Sequence, residues 1–463
     1  MPTESAHTLI NNTMVVTMNA GREVITDASV AITDDKIVAV GKTADLADRF
    51  SASEVIDGAR FVVTPGLVNT HVHLTGEPLT KSFVPENLSF DELIFHWLVP
   101  MYAMYSEEEE RLSAQLAAAE MLKSGTTSFL EAGTVKYVDS VVDALVGIGI
   151  RARIGKWIWD LPQEVPELLM TTEQAIANLE RTLAHHREVA GGRIQAWSMV
   201  LGHTTCSDEL WSAAAEASRR WETGMNFHMS HGPGDPIGFL DSYGERPMVH
   251  LDKLGVLAPS TVVAHAVHID DDELSALAHS GCSVAHCPTA ALRCAIGVSQ
   301  IGRVPEMVAA GINVSIGIDG NNASNYADMM RATYLVAGLY KDSRQDPSMF
   351  RAEKAYEMAT LGGAKSINAE AEVGSIEVGK KADLVLHDRL RPEWTPLHNV
   401  AEQLVWSADG RGVHTVFVDG LKVVDDYRLT TIDETALYNQ AQAAGEEIIA
   451  RSGMENHATW PTI

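Results

Sequence analysis

Two histidines, His71 and His73, close the run Thr64-Pro65-Gly66-Leu67-Val68-Asn69-Thr70-His71-Val72-His73, and their type and spacing are those of half a metal site. The stretch 61–68 is apolar and β-branched, which predicts a buried strand whose side chains alternate in direction, so residues i and i+2 point the same way. Neutral imidazole is among the commonest ligands for zinc and related metals, so the pair can begin to hold one ion. Three later residues have matching placement. The strand-like run 223–228 ends in His228, the run 261–265 ends in His265, and the run 312–319 ends in Asp319 followed by Gly320. Each alone has an ordinary explanation, as a satisfied core histidine or a helix-capping carboxylate. Together, three or four imidazoles and one carboxylate on strand ends are enough to fix a metal and leave a position for water.

The elements that must position these residues follow from the pattern around them. Residues 1–65 hold short β-like runs (13–18, 29–33, 37–40) separated by Gly, Asp and Asn, which predicts a small all-β unit. After His73 the order changes to alternating helix and strand, beginning with a capping box at Ser106 and Glu109 and the strand 126–130. Candidate strands end near Asp160, Gly202, His228, His265, His286 and Asp319, with helices such as 173–190 and 271–279 between them. From His73 to Asp319 there are about 246 residues, or about 35 per βα unit over seven units, the spacing of a (β/α)8 barrel. An open doubly wound sheet is disfavoured because no glycine-rich dinucleotide loop follows the first strand. β-like sequence returns at 382–386, 413–418 and 422–424. The predicted class is therefore α/β: a distorted TIM (β/α)8 barrel over 66–369, a flanking discontinuous β-sandwich from 1–65 and 370–430, and a helical tail over 431–463.

Composition narrows the partners. A formal net charge of −27 over 463 residues argues against nucleic acid and anionic membrane as ligands, and 46% apolar residues can fill a large core. Cys206, Cys282, Cys287 and Cys294 lack the spacing of a zinc knuckle or a disulfide framework and read as buried thiols. No basic leader and no run of about 20 apolar residues is present, which predicts a cytoplasmic protein acting on a small molecule.

The motifs resemble the amidohydrolase superfamily over nearly the whole chain. Pro65 to His73 is similar to its first-strand motif, and Val263-Ala264-His265-Ala266-Val267-His268, Val284-Ala285-His286-Cys287-Pro288 and Ile316-Gly317-Ile318-Asp319-Gly320 are similar to the sixth, seventh and eighth. The run Gly374-Ser375-Ile376-Glu377-Val378-Gly379-Lys380-Lys381-Ala382-Asp383-Leu384-Val385-Leu386 resembles the family's return into its β-domain. The resemblance implies that His71, His73, His228 and Asp319 are metal ligands, with His265 a further ligand or a partner of the bound water. It also implies a homo-oligomer. The run 194–201 contains no lysine for the carboxylated bridge of two-metal members, which implies one divalent ion per subunit: zinc by default, with cobalt, manganese or iron compatible with this ligand set.

One departure shapes the functional expectation. Deaminases and triazine hydrolases of the superfamily usually carry His-X-X-Glu after the fifth strand, whereas this chain has His228-Met229-Ser230-His231. A neutral imidazole cannot copy a carboxylate, so the expectation moves to the branch of phenylurea and molinate hydrolases, cleaving an exocyclic C–N or C–S bond of a urea, carbamate or thiocarbamate, with Asp319, His265 and His231 catalytic. The alternative is an aminohydrolase or chlorohydrolase acting on a purine, pyrimidine or triazine ring, and the third reading is a metal-free binding scaffold. Trp97, Trp157 and Trp159 are expected to wall an apolar pocket, with Glu131 and His286 at its mouth.

Overall fold

The protein was examined as a computed structural model that describes residues 4–46, 48–90, 92–163, 165–455 and 460. Part of the predicted tail, 456–459 and 461–463, lies outside the described residues, as do residues 1–3.

Five strands precede the site: β1 (Glu4–Val16), β2 (Val24–Thr33), β3 (Lys36–Lys42), β4 (Phe50–Asp57) and β5 (Phe61–Pro65). The α/β part contains β6 (Leu67–Val72), β7 (Thr126–Glu131), β8 (Arg151–Ile154), β9 (Ile194–Ala196), β10 (Ser198–Gly202), β11 (Met225–Met229), β12 (Thr261–His265), β13 (Ser283–His286) and β14 (Asn313–Ile316). Four strands follow: β15 (Leu384–Asp388), β16 (Val413–Val418), β17 (Leu421–Asp425) and β18 (Arg428–Leu429).

The α/β strands form two parallel sheets, β6-β7-β8-β9 and β10-β11-β12-β13-β14, with helices between successive strands. Almost every residue in them is buried, as expected for parallel strands covered on both faces. Backbone hydrogen bonds join the two sheets at both seams. Ile318 N and Asp319 N donate to His71 O at 3.0 and 2.8 Å, and Trp197 N donates to Ile154 O at 2.9 Å. The strand predicted over 194–201 is interrupted at Trp197, and the third strand stops at Ile154, well before Asp160. The helix predicted over 173–190 ends sooner, as Thr172–His186, while the capping box at Ser106 and Glu109 forms as read.

The outer strands depart from the expected sandwich. They form one nine-stranded sheet, because β1 is long enough to pair along its length with β2, β4 and β5, and β5 pairs antiparallel with β15. The antiparallel pairing of Leu384 with Pro65 brings the two distant β segments together beside the first strand of the α/β part. At that junction Gly66 lies against the next strand: a Cβ there would sit 2.0 Å from Thr127 Oγ1 and 2.3 Å from its Cγ2. Gly66→Ala should therefore destabilise the protein by about 1–3 kcal/mol in urea titration, through overpacking, and an unchanged midpoint would show that the junction yields.

Candidate active site

The site is built where the parallel strands end. Alternation along β6 aims His71 and His73 to one side, and the two hydrogen bonds from the 318–319 backbone to His71 O hold Asp319 beside them. Gly317 makes that approach feasible, since a Cβ there would lie 2.6 Å from the Cβ of His71 and 2.9 Å from Cys287 Sγ. His265 and Asp319 both adopt φ of 76°, a left-handed conformation rare in residues other than glycine and concentrated at functional sites.

His71, His73, His228, His265 and Asp319 are all buried, and their polar atoms converge. His73 Nε2 lies 3.1 Å from Asp319 Oδ1, His71 Nε2 lies 3.7 Å from the same oxygen, and His265 Nε2 lies 4.0 Å from Asp319 Oδ2. His228 Nε2 and His73 Nε2 face each other at 3.3 Å. One donor atom from each of His71, His73 and Asp319 lies within 4.8 Å of the others, and the same holds for His71, His228 and His265.

This arrangement fits a cation. Both ring nitrogens of fully buried His71 lack a hydrogen-bond partner, and an orphaned polar atom at such a depth calls for an ion or water. His228 Nδ1 is 2.7 Å from Leu201 O, which can only accept, so Nδ1 carries the proton and the lone pair of Nε2 faces the cluster. Burial, reinforced by neighbouring rings, holds His71 and His228 well below the ordinary histidine pKa, and burial brings His265 down to about 4. Neutral imidazole is the form that binds metal. His73 is the exception: burial opposes its protonation, but the hydrogen bond to Asp319 and the charge of Glu77 raise it to about 9. Burial would raise the Asp319 carboxyl, yet its contacts with His73, His265 and His71 hold it far below the usual range.

A largely apolar cavity opens on the cluster, walled by Phe90, Leu93, Leu98, Val99, Trp157 and Leu201, with His73, His228, His265 and Asp319 at its floor. The π-helical segment Glu92–Leu98 supplies part of that wall. Of the expected pocket residues, Trp157 lines the cavity and four others do not. Trp159 packs edge-on behind Trp157, with ring centroids 5.1 Å apart, and Trp97 packs on Phe83 at 5.9 Å. Glu131 turns back on its own loop, accepting from Gly133 N at 2.6 Å and Thr134 N at 3.0 Å, and burial pushes its carboxyl up to about 7. His286 is buried against Tyr340, and burial lowers it to about 3.

His231 is close to this cluster but outside its two donor groups, with its ring centroid 5.8 Å from that of His265. It packs against Phe90 and meets His203 edge-on at 4.9 Å. Sequence reasoning missed four residues. His203 lines the cavity and stacks on His228 at 5.4 Å, and its signal was a polar residue directly after a strand ending at Gly202. Its Nδ1 lies 2.8 Å from Asp235 Oδ2. Glu77 and Tyr102 come from the insert after β6, where no periodicity marks them; the Tyr102 hydroxyl donates to Glu77 Oε1 and lies 3.3 Å from His73 Nδ1.

Comparison with known proteins corrects one expectation. The chain is 32% identical over 447 residues to a 5'-deoxyadenosine deaminase of Methanosarcina mazei, covering 96% of this chain and 99% of that protein. It is 33% identical over 420 residues to a 5-methylthioadenosine/S-adenosylhomocysteine deaminase of Moorella thermoacetica, covering 90% and 94%. The crystal structure of an adenosine deaminase from Xanthomonas campestris with bound zinc superposes with a TM-score of 0.90 at 28% identity, covering 97% of this chain and all of that one. The expected urea or thiocarbamate hydrolase is thereby overturned, since these full-length relatives are deaminases of adenine nucleosides. His231, a single position, does not outweigh similarity along the whole chain. The model of the amidohydrolase family matches residues 62–423, which include His71, His73, His228, His265, Asp319 and the return segment that begins at Gly374, and the chain belongs to the amidohydrolase family of metal-dependent hydrolases acting on C–N bonds.

Proposed function

We propose that this protein is a metal-dependent aminohydrolase that removes the amino group from the adenine ring of a small nucleoside, on a barrel closed through the two hydrogen-bonded seams. The division into a 66–369 catalytic unit, a β unit from 1–65 and 370–430, and a tail from 431 is part of the same proposal. The observation that carries it is the convergence of His71, His73, His228, His265 and Asp319, all but His71 lining a largely apolar, aromatic cavity, in a chain whose relatives are adenine-nucleoside deaminases.

In this reading His71, His73, His228 and Asp319 hold one divalent ion, zinc by preference, with His265 as a further ligand or as a partner of the nucleophile. When bound there, the ion would lower the pKa of a water and so make hydroxide available as the nucleophile at neutral pH. Asp319 accepts the proton released as hydroxide attacks the ring carbon and passes it to the departing amino group, which leaves as ammonia, while the adjacent ring nitrogen takes up the proton that the water lost on ionising, so one water is consumed per ammonia. His265 stabilises the developing charge. Phe90 and Trp157 pack the planar ring, and the apolar wall excludes bulk water. His231 lies behind Phe90 and beside His265.

The test is a panel of adenosine, 5'-deoxyadenosine, 5'-methylthioadenosine and S-adenosylhomocysteine incubated with zinc-loaded protein, scoring ammonia and the ultraviolet change from adenine to hypoxanthine. One equivalent of ammonia per nucleoside consumed is expected from at least one member. Folded, zinc-loaded protein that releases none from any of them overturns the reading.

A further inference from the structure

Beside the proposed catalytic cluster lies a second convergence of donor groups that the deamination scheme does not use: His203 after β10, His231 after β11, and Asp235 in the first turn of the helix Gly234–Tyr243. His231 and Asp235 are 6% and 5% exposed, and His203 is half-buried at the cavity wall. One donor atom from each lies within 4.8 Å of the other two. A hydrogen bond between His203 Nδ1 and Asp235 Oδ2 at 2.8 Å accounts for only two members of the group. The third is left unexplained, because His231 Nδ1 is buried without a hydrogen-bond partner.

We propose that His203, His231 and Asp235 form a second divalent-cation site, separate from the first and sharing no ligand with it. Two imidazoles and a carboxylate make an N2O set that suits zinc or cobalt and leaves one position open towards the cavity. In a tetrahedral site with bonds of about 2.0–2.2 Å, neighbouring donor atoms stand about 3.3–3.5 Å apart, so the His203–Asp235 pair must open by only about half an ångström on binding. The local backbone is built to hold these groups: Asp235 Oδ2 also accepts from Ser230 N at 2.7 Å, which fixes the turn, with φ of 55° at Ser230, that presents His231. The His203 ring stacks on His228, so the second ion would lie just across that imidazole from the first. At the position where related deaminases carry a proton-shuttling glutamate, this chain would then place a metal ligand.

The experiment is a count of bound metal, and it does not depend on the substrate. Full-length protein is stripped with a chelator and titrated with zinc alone against a chromophoric competitor, and bound metal is measured by mass spectrometry; cobalt alone is added in parallel to read its visible spectrum. Two equivalents are expected for the unaltered protein, and one each for His231→Ala and Asp235→Asn, with the second cobalt band lost in both. Should Asp235→Asn fail to fold, His203→Gln replaces it. A single equivalent in the unaltered protein, or two in the folded variants, overturns the proposal.

Discussion

Asp319→Asn should fold, and its rate of ammonia release should fall by about 10²- to 10⁴-fold, the range that a positioned acid–base group contributes. The amide keeps the shape of the side chain and its packing against His71, but it can neither take up nor return a proton. The carboxylate also faces three imidazoles at once, His73 at 3.1 Å, His71 at 3.7 Å and His265 at 4.0 Å. Turnover number and metal content should be measured on the same preparation, because Asp319 is proposed both to hold the ion and to move the proton. A variant that keeps its metal and loses less than about tenfold in turnover would remove Asp319 from the proton path.

The second large effect concerns stability. Asp383 lies within the motif that begins at Gly374 and meets Arg151 on β8 across more than two hundred residues of sequence. Both side chains are almost fully buried, at 3% and 1% exposed. The carboxylate accepts from Arg151 Nε at 3.0 Å, from Arg151 Nη2 at 3.1 Å and from Asp419 N at 2.8 Å, while the same guanidinium also pairs with Asp419. Removing one member of a buried ion network strands its partner, at a cost of about 3–5 kcal/mol. Asp383→Ala should lose that much in chemical denaturation, and Asp383→Asn, which keeps acceptor capacity, should lose less. A loss below about 1 kcal/mol for the alanine variant would mean that Asp419 alone satisfies the arginine.

How far the sequence could be read depended on whether the signal was local. Strands β6, β11, β12 and β14 were visible because each is a short β-branched or apolar run ending in a ligand-type residue, and strand alternation is a local property. Glu131 shows the limit of that logic. It ends β7, where a residue of a parallel strand can face the site, yet the turn at Gly133, with φ of 81°, offers two backbone N–H groups that capture its carboxylate. Trp159, near the third strand's end, and Trp97, in the insert after the first strand, are expected from those positions to wall the pocket, but an indole buries against whatever surface the fold presents, here Trp157 and Phe83. Glu77 and Tyr102 reach His73 from an irregular insert that has no period to read.

What the sequence carried by itself was the family's motifs, the α/β order, and the placement of His71, His73, His228, His265 and Asp319 at strand ends, because motif, strand alternation and residue type are local properties. The choice between a urea-type substrate and an adenine nucleoside was not determined in this way, since His231 alone pointed in the wrong direction and full-length comparison was needed to correct it. Only the tertiary structure decided which neighbours surround the cluster: that His203 and Asp235 flank His231, that Trp157 and Phe90 wall the cavity, and that Arg151 finds Asp383. Those contacts join segments far apart in the chain, and their geometry is set by how the sheets meet rather than by any pattern within one segment.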